Sequence, residues 1–355
     1  MPYKIGLVGL PNVGKSSLFS FLTKKDWDEI KNYPFATIKP NTGIMLLSDS
    51  RLEKLSQFWQ SPTVPSLVEI IDIAGLIKGA AEGLGLGNEF LSHIREVDLI
   101  CHVCRCFPEK EIIHVEKTVD PIRDLEIIQL ELILADLQQV EKRLKKLKIR
   151  DEKSQKEKEI LQFVQEKLEK EIPLSQLVFS EEENKIVKSC NFLTNKPVFL
   201  LANYSGKTAE FQNLEKYAQT KKLDLFPLAV KLETEATELS PLEREAIGWT
   251  TATDFSLLTQ KIKELLKLKT FFTVGKDEVK SWLAYKTMNA QECAGLIHSD
   301  IQKNFIKVRV YNYLDWLQFP SEKELNRAGK IWEKGANYSI QEGDICHFLF
   351  GKNRA

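Results

Sequence analysis

Gly9-Leu10-Pro11-Asn12-Val13-Gly14-Lys15-Ser16 follows an apolar run, Tyr3–Val8, and opens a helical stretch, SSLFSFLTKK. This octapeptide leaves a chain few options. Its glycines let backbone N–H groups converge, and the helix behind them favours anions at its amino end. The pattern G-x-x-x-x-G-K-[ST] between strand and helix therefore predicts a loop that cradles phosphates. Asn12, Val13, Gly14, Lys15, Ser16 and Ser17 form the expected binding set. Lys15 reaches the β and γ oxygens, which makes it the first catalytic candidate, and the Ser16 hydroxyl ligates Mg²⁺.

The second metal ligand is expected where the next inner strand ends. There LVEIID runs into Asp72-Ile73-Ala74-Gly75. Asp72 is placed to hold Mg²⁺ through water, and the Gly75 N–H to meet the γ-phosphate. Thr37, in YPFATIKPN, lies between the two motifs and is placed to close over the metal. Gly79, Gly83, Gly85 and Gly87 crowd the segment that follows. A dinucleotide fingerprint is excluded there, because the preceding strand already ends at Asp72 and no ribose-binding acid follows. A glycine-rich switch segment is the better reading.

A chain of 355 residues, 43% hydrophobic, is expected to fold into two or three domains. Lys plus Arg equals Asp plus Glu at 50 each, so any polyanionic partner must meet a local patch. Further strands are expected at Gly43–Leu47, Leu99–Cys104, Pro197–Ala202 and Leu225–Ala229, several of them apolar throughout. Such runs predict an α/β fold with a mainly parallel sheet. Leu130, Ile133, Leu137, Val140, Leu144 and Leu147 form one seam, and Ile160, Val164 and Leu168 a second. They predict an antiparallel α-helical hairpin standing out from the sheet. After Lys269, alternation in FIKVRV and a final ICHFLF predict a small β-rich domain. The expected boundaries are 1–122 and 191–269 for the sheet domain, 123–190 for the insertion and 270–355 for the last domain. Cys101, Cys104 and Cys106 lie in an apolar run without a second Cys/His pair at zinc spacing, so they read as buried strand residues. Buried thiols suggest a reducing compartment, and no apolar run is long enough to span a membrane. A cytoplasmic monomer is the expectation.

GLPNVGKSSLF, NYPFATIKPNTG, DIAGLIKGAAEGLGLGNEFL and AGLIHSDIQKNFIKVRV together resemble the YchF/Obg-like ATPase family, a branch of the Obg-related translation-factor GTPases. The resemblance runs in order over nearly the whole chain. It implies a P-loop NTPase G domain, an inserted helical hairpin and a C-terminal β-grasp domain of the TGS type. It also implies Mg²⁺, ATP in preference to GTP, and association with the ribosome. GTP-specific relatives carry N-K-x-D after the fifth strand, where the aspartate accepts two hydrogen bonds from guanine. This chain has Asn203-Tyr204-Ser205-Gly206, so that carboxylate is missing. By resemblance, Asn203 and Tyr204 match adenine-contacting positions, Phe107 a stacking aromatic and His114 a catalytic histidine. Leu76 stands where related enzymes orient water with glutamine. Asn12 resembles an asparagine that holds K⁺ near the phosphates, which makes K⁺ a second candidate cofactor. Lys303, Lys307 and Arg309, beside Phe305 and Tyr311, make an RNA contact of the last domain a further expectation. Two alternatives stay open: a GTP-specific translation factor, and a nucleotide-sensing scaffold whose hydrolysis is incidental.

Overall fold

A computed structural model describes residues 2–23, 41–73, 86–108, 116–206, 208–246 and 253–351. The chain divides into two compact units, Met1–Met45 with Val68–Thr253, and Leu46–Leu67 with Asp254–Ala355. In chain order the elements are β1 (Tyr3–Val8), α1 (Lys15–Thr23), β2 (Thr42–Leu46), α2 (Ser50–Trp59), β3 (Thr63–Val64), β4 (Leu67–Asp72), α3 (Leu86–Glu96) and β5 (Leu99–Cys106). Next come α4 (Pro121–Lys146), α5 (Glu152–Glu169), α6 (Glu181–Cys190), β6 (Val198–Tyr204), α7 (Ala209–Lys221), β7 (Asp224–Leu228), α8 (Val230–Glu238) and α9 (Pro241–Ala246). The remainder is α10 (Phe255–Leu265), β8 (Leu268–Val274), β9 (Val279–Tyr285), α11 (Ala290–Ile297), α12 (Ser299–Lys303), β10 (Phe305–Asn312), α13 (Tyr313–Gln318), α14 (Glu322–Arg327), β11 (Trp332–Lys334) and β12 (Asp344–Phe350).

The sheet of the first unit has the order β2-β4-β1-β5-β6-β7. The pairs β1–β4, β1–β5, β5–β6 and β6–β7 are parallel. Every residue of β5 is buried, as a strand covered on both faces requires. Its three thiols, Cys101, Cys104 and Cys106, lie in that core.

The helical insertion differs from a simple projecting hairpin. Asp120 caps α4 by accepting from the N–H groups of Ile122 and Arg123, and Pro121 opens the helix. The first part of α4 covers the sheet, with Leu125 packed among Cys104, Cys106, Leu200, Ala202, Leu214 and Ala218. Farther along, Ile133 and Val140 join Ile160, Leu161, Val164, Leu168, Val187 and Phe192 in a separate core. That core needs α6, which the two-helix expectation left out. Leu130 falls outside the expected seam and is 42% exposed. Asp136 fixes the helix in place. Its buried carboxylate accepts from the backbone N–H groups of Leu193 and Thr194 and from the Thr194 hydroxyl, at 2.8–2.9 Å.

The second unit has a sheet of order β11-β10-β12-β8-β9-β3. β12 and β8 are parallel, while β8–β9, β10–β12 and β10–β11 are antiparallel. The second unit takes in Leu46–Leu67 and Asp254–Ala355, so 46–67 and 254–269, expected with the sheet domain, lie in it. Leu52 and Leu55 of α2 pack against Phe272, Tyr311, Tyr313, Trp316 and Ile345, and β3 pairs with β9. Glu342 ties the pieces together electrostatically. It accepts from Arg51, from Lys263 and from the Thr270 N–H.

Candidate functional site

The phosphate loop lies where the carboxyl ends of β1, β4, β5 and β6 converge, the usual ligand end of a parallel sheet. Asn12 and Gly14 both adopt positive φ, +64° and +95°. A side chain at Gly14 is doubly excluded, because a Cβ there would lie 2.3 Å from the Asn203 amide nitrogen. The loop then turns into α1, whose Leu18 N–H bonds the Gly14 carbonyl at 2.9 Å.

Lys15 begins α1 and is buried. Its ammonium donates to the carbonyls of Gly9 (2.9 Å) and Leu10 (3.1 Å). The cation is thus parked on the loop it serves. Burial pushes its pKa down, and the nearby charge of Asp72 offsets part of that. The Ser16 hydroxyl donates to Asp72 Oδ2 at 3.0 Å. The other Asp72 oxygen, Oδ1, is buried and has no hydrogen-bond partner among the described residues. An orphaned carboxylate oxygen beside a serine hydroxyl fits a hard divalent cation, which takes oxygen ligands and completes its shell with phosphates and water. No cluster of three or more His, Cys, Asp or Glu side chains suited to a metal occurs among the described residues. A phosphate-linked ion does not need one. Ser17 is exposed on the same turn of α1.

The residues expected at the base are placed unequally. Asn203 is buried at the end of β6 with both amide ends engaged. Its Nδ2 donates to the Val13 carbonyl at 3.1 Å, and its Oδ1 accepts from the Val230 N–H at 3.3 Å. Asn203 therefore braces the phosphate loop against the start of α8. Tyr204 is half-buried and stacks on Phe211, with ring centroids 5.2 Å apart. Phe107 is half-buried, and the Arg105 guanidinium lies 4.6 Å from its ring centroid. Gly206 has φ +126°, a conformation open to glycine, and nothing lies within 4 Å of where a Cβ would sit. Thr37, Gly75, Leu76 and His114 lie outside the described residues, as does the glycine-rich segment through residue 85.

Two residues of the site were not evident from motifs. Arg105 is 1% exposed in β5. Its Nε donates to the Phe107 carbonyl at 3.3 Å and its Nη1 to the Asn12 carbonyl at 3.4 Å. One side chain thus links the phosphate loop to the expected stacking ring. His102 is buried in the same strand, and burial together with the Lys15 charge pushes its pKa down to about 3. The available signal was a cation and a histidine inside the otherwise apolar run LICHVCRCF.

A family model described as 50S ribosome-binding GTPase matches residues 4–204. The YchF-GTPase C-terminal model, described as a protein of unknown function, matches 268–351. The chain is 42% identical to the ribosome-binding ATPase YchF of Bacillus subtilis, over 99% of this chain and 100% of that one. The chain belongs to the YchF family. Another YchF relative, the ribosome-binding ATPase YchF of Mycoplasma genitalium, is 43% identical over 97% of this chain and 98% of its own. The solved structure of the Schizosaccharomyces pombe YchF GTPase superposes with a TM-score of 0.87 at 36% identity, covering 98% of this chain and 97% of that one. This YchF-family chain is accordingly a P-loop nucleotide hydrolase built on an α/β domain, followed by a sheet-containing C-terminal part.

Proposed function

We propose that the chain is a ribosome-associated hydrolase that binds ATP with Mg²⁺ in preference to GTP. It converts ATP slowly to ADP and phosphate as a conformational switch linked to translation. The observation that carries this reading is the convergence of Lys15, Ser16 and Asp72, with one Asp72 oxygen left unsatisfied among the described residues. Ser16, and Asp72 through water, would hold the divalent cation, which would neutralise charge on the transferred phosphoryl group. Lys15 leaves the carbonyls of Gly9 and Leu10 for the β and γ oxygens. The N–H groups of Asn12, Val13, Gly14 and Ser17 complete the cradle. By the family resemblance, Thr37 would serve the metal, the Gly75 N–H would serve the γ-phosphate and His114 would be the catalytic histidine. Leu76 has no group to orient that water, so turnover is slow without help. Asn12 supplies a ligand for K⁺.

The relatives' names disagree over the base, some saying ATPase and one GTPase. Local chemistry favours adenine. Gly206 replaces the aspartate that guanine requires, and its φ of +126° strains any side chain put there. Losing two charged hydrogen bonds, each about 1.5–3 kcal/mol, removes about two to four powers of ten in guanine affinity. Phe107 and Tyr204 flank the base, and Asn203 contributes mainly by holding the loop. Ribosome association fits a cytoplasmic chain, and a monomer is the expected state. The parallel pair β8–β12 at the centre of the second sheet suits a β-grasp of the TGS type.

Competition between ATP and GTP for the Mg²⁺-loaded protein is the direct test. ATP is expected to displace a fluorescent analogue at least tenfold more effectively than GTP. Equal displacement removes the adenine reading while leaving the hydrolase intact.

A further inference from the structure

Gly6 stands in the middle of β1, between β4 and β5, with Ile71 beside it on one neighbour and Ile100 on the other. Glycine weakens a strand interior, and its presence there often marks a close approach by another part of the chain. Here two fully buried side chains make that approach. A Cβ on Gly6 would lie 2.7 Å from Ile73 Cδ1 and 3.2 Å from both methyl groups of Val97.

A bland account is that Gly6 only lets α3 end close to the sheet. Val97, just past α3, does form one wall of the seat. That wall is fixed. The Val97 carbonyl accepts from the Lys196 ammonium at 2.7 Å, and the same ammonium holds the Arg95 carbonyl at 3.1 Å. Next to it, the Asp98 N–H donates to the Lys4 carbonyl at 2.8 Å, and the Lys4 N–H donates to Asp98 Oδ2 at 2.9 Å. The nearer wall, Ile73, lies one residue beyond β4 and directly follows Asp72. Its N–H donates to the Leu7 carbonyl at 3.2 Å, and the Asp72 N–H donates to the Asn41 carbonyl at 2.9 Å. An atom added to Gly6 therefore displaces Ile73 before Val97, and Asp72 moves with its neighbour.

We propose that Gly6 and Ile73 form a seat that sets Asp72 for the divalent cation, with Ile73 the positioning residue. The inference rests on the Mg²⁺ reading above. Placement matters because the carboxylate has a defined orientation. Asp72 Oδ2 accepts from the Ser16 hydroxyl at 3.0 Å, and Oδ1 is buried without a partner among the described residues. Mg²⁺ demands near-ideal octahedral geometry, so the ion has little room to follow a displaced carboxylate. Groups that orient a metal ligand without touching the metal are typically worth about 10–100-fold in metal affinity.

The test uses Mn²⁺ as the probe ion. Its binding to the full chain saturated with ADP is read by electron paramagnetic resonance, and the binding of fluorescent ADP without metal by anisotropy. Gly6→Ala is expected to weaken Mn²⁺ about tenfold and to leave metal-free ADP binding within about twofold. Adding Ile73→Val, which deletes Cδ1, should bring Mn²⁺ affinity back to within about threefold of the wild type. Urea unfolding is measured alongside. A Gly6→Ala protein that is less stable yet binds Mn²⁺ as the wild type does has lost packing alone, and this overturns the proposal. A loss of Mn²⁺ that Ile73→Val leaves unrescued also overturns it, since the strain then bypasses Cδ1. Should Gly6→Ala give no folded protein, Ile73→Ala, which empties the seat without adding an atom, takes its place. A loss of about tenfold there supports the proposal, and unchanged Mn²⁺ affinity overturns it. A wild type that binds ADP but no Mn²⁺ removes the Mg²⁺ reading itself and this inference with it.

Discussion

Arg105 sits in a strand whose every residue is buried, and its guanidinium reaches two carbonyls and one aromatic face. A lysine carries the charge but not the planar fork. Arg105→Lys should therefore raise the KM for ATP about tenfold, the value of roughly one lost charged hydrogen bond, with kcat changed far less. Steady-state kinetics separates the two. His102 makes a pH prediction. The unfolded chain protonates it near 6.5, whereas the folded chain resists until about 3. Between those values the unfolded state binds more protons, so stability falls as pH falls through that window. His102→Asn should lose about 2 kcal/mol less than the wild type between pH 7 and pH 5, measured by urea unfolding. The phosphate loop was legible because its chemistry is contiguous in sequence. Arg105 and His102 were not, because their partners, the Asn12 carbonyl and Lys15, come from another strand's end. Asn203 was legible as a site residue, but its role in bracing Val13 and Val230 depends on a contact 190 residues away.

At the level of elements, α4 does two jobs that periodicity alone merges into one. Its first turns cover the sheet through Leu125, and its later turns build a three-helix core through Ile133 and Val140. Hydrophobic spacing identified the helices and most of the seam. It could not show that Leu130 faces outward, since the covering partner changes along the helix. The pivot is Asp136, whose carboxylate accepts three hydrogen bonds from Leu193 and Thr194. Asp136→Ala leaves those buried donors unsatisfied. A loss of about 3 kcal/mol in urea unfolding is expected, with α4 shifted relative to β6.

Over the whole molecule, the two units interrupt one another in sequence. Strand patterns foretold the two sheets, yet the assignment of 46–67 was hidden because α2 and β3 are short and find their partners far downstream. A fragment ending at residue 253 keeps the complete sheet of the first unit but strips Leu52 and Leu55 of Phe272, Tyr311 and Ile345. That fragment should aggregate at micromolar concentration. The same fragment with 46–67 replaced by a short glycine–serine linker should stay monodisperse in size-exclusion chromatography and still bind nucleotide.

This interleaving has a temporal side. Residues 46–67 leave the synthesising machinery roughly 200 residues before β8 and nearly 280 before β12, the strands they pack with. At roughly 5–20 residues per second the interval is on the order of 10–60 s. During that time Leu52 and Leu55 have no native cover, so a nascent-chain holdase has a defined client segment, and the second unit matures only after β12 has emerged.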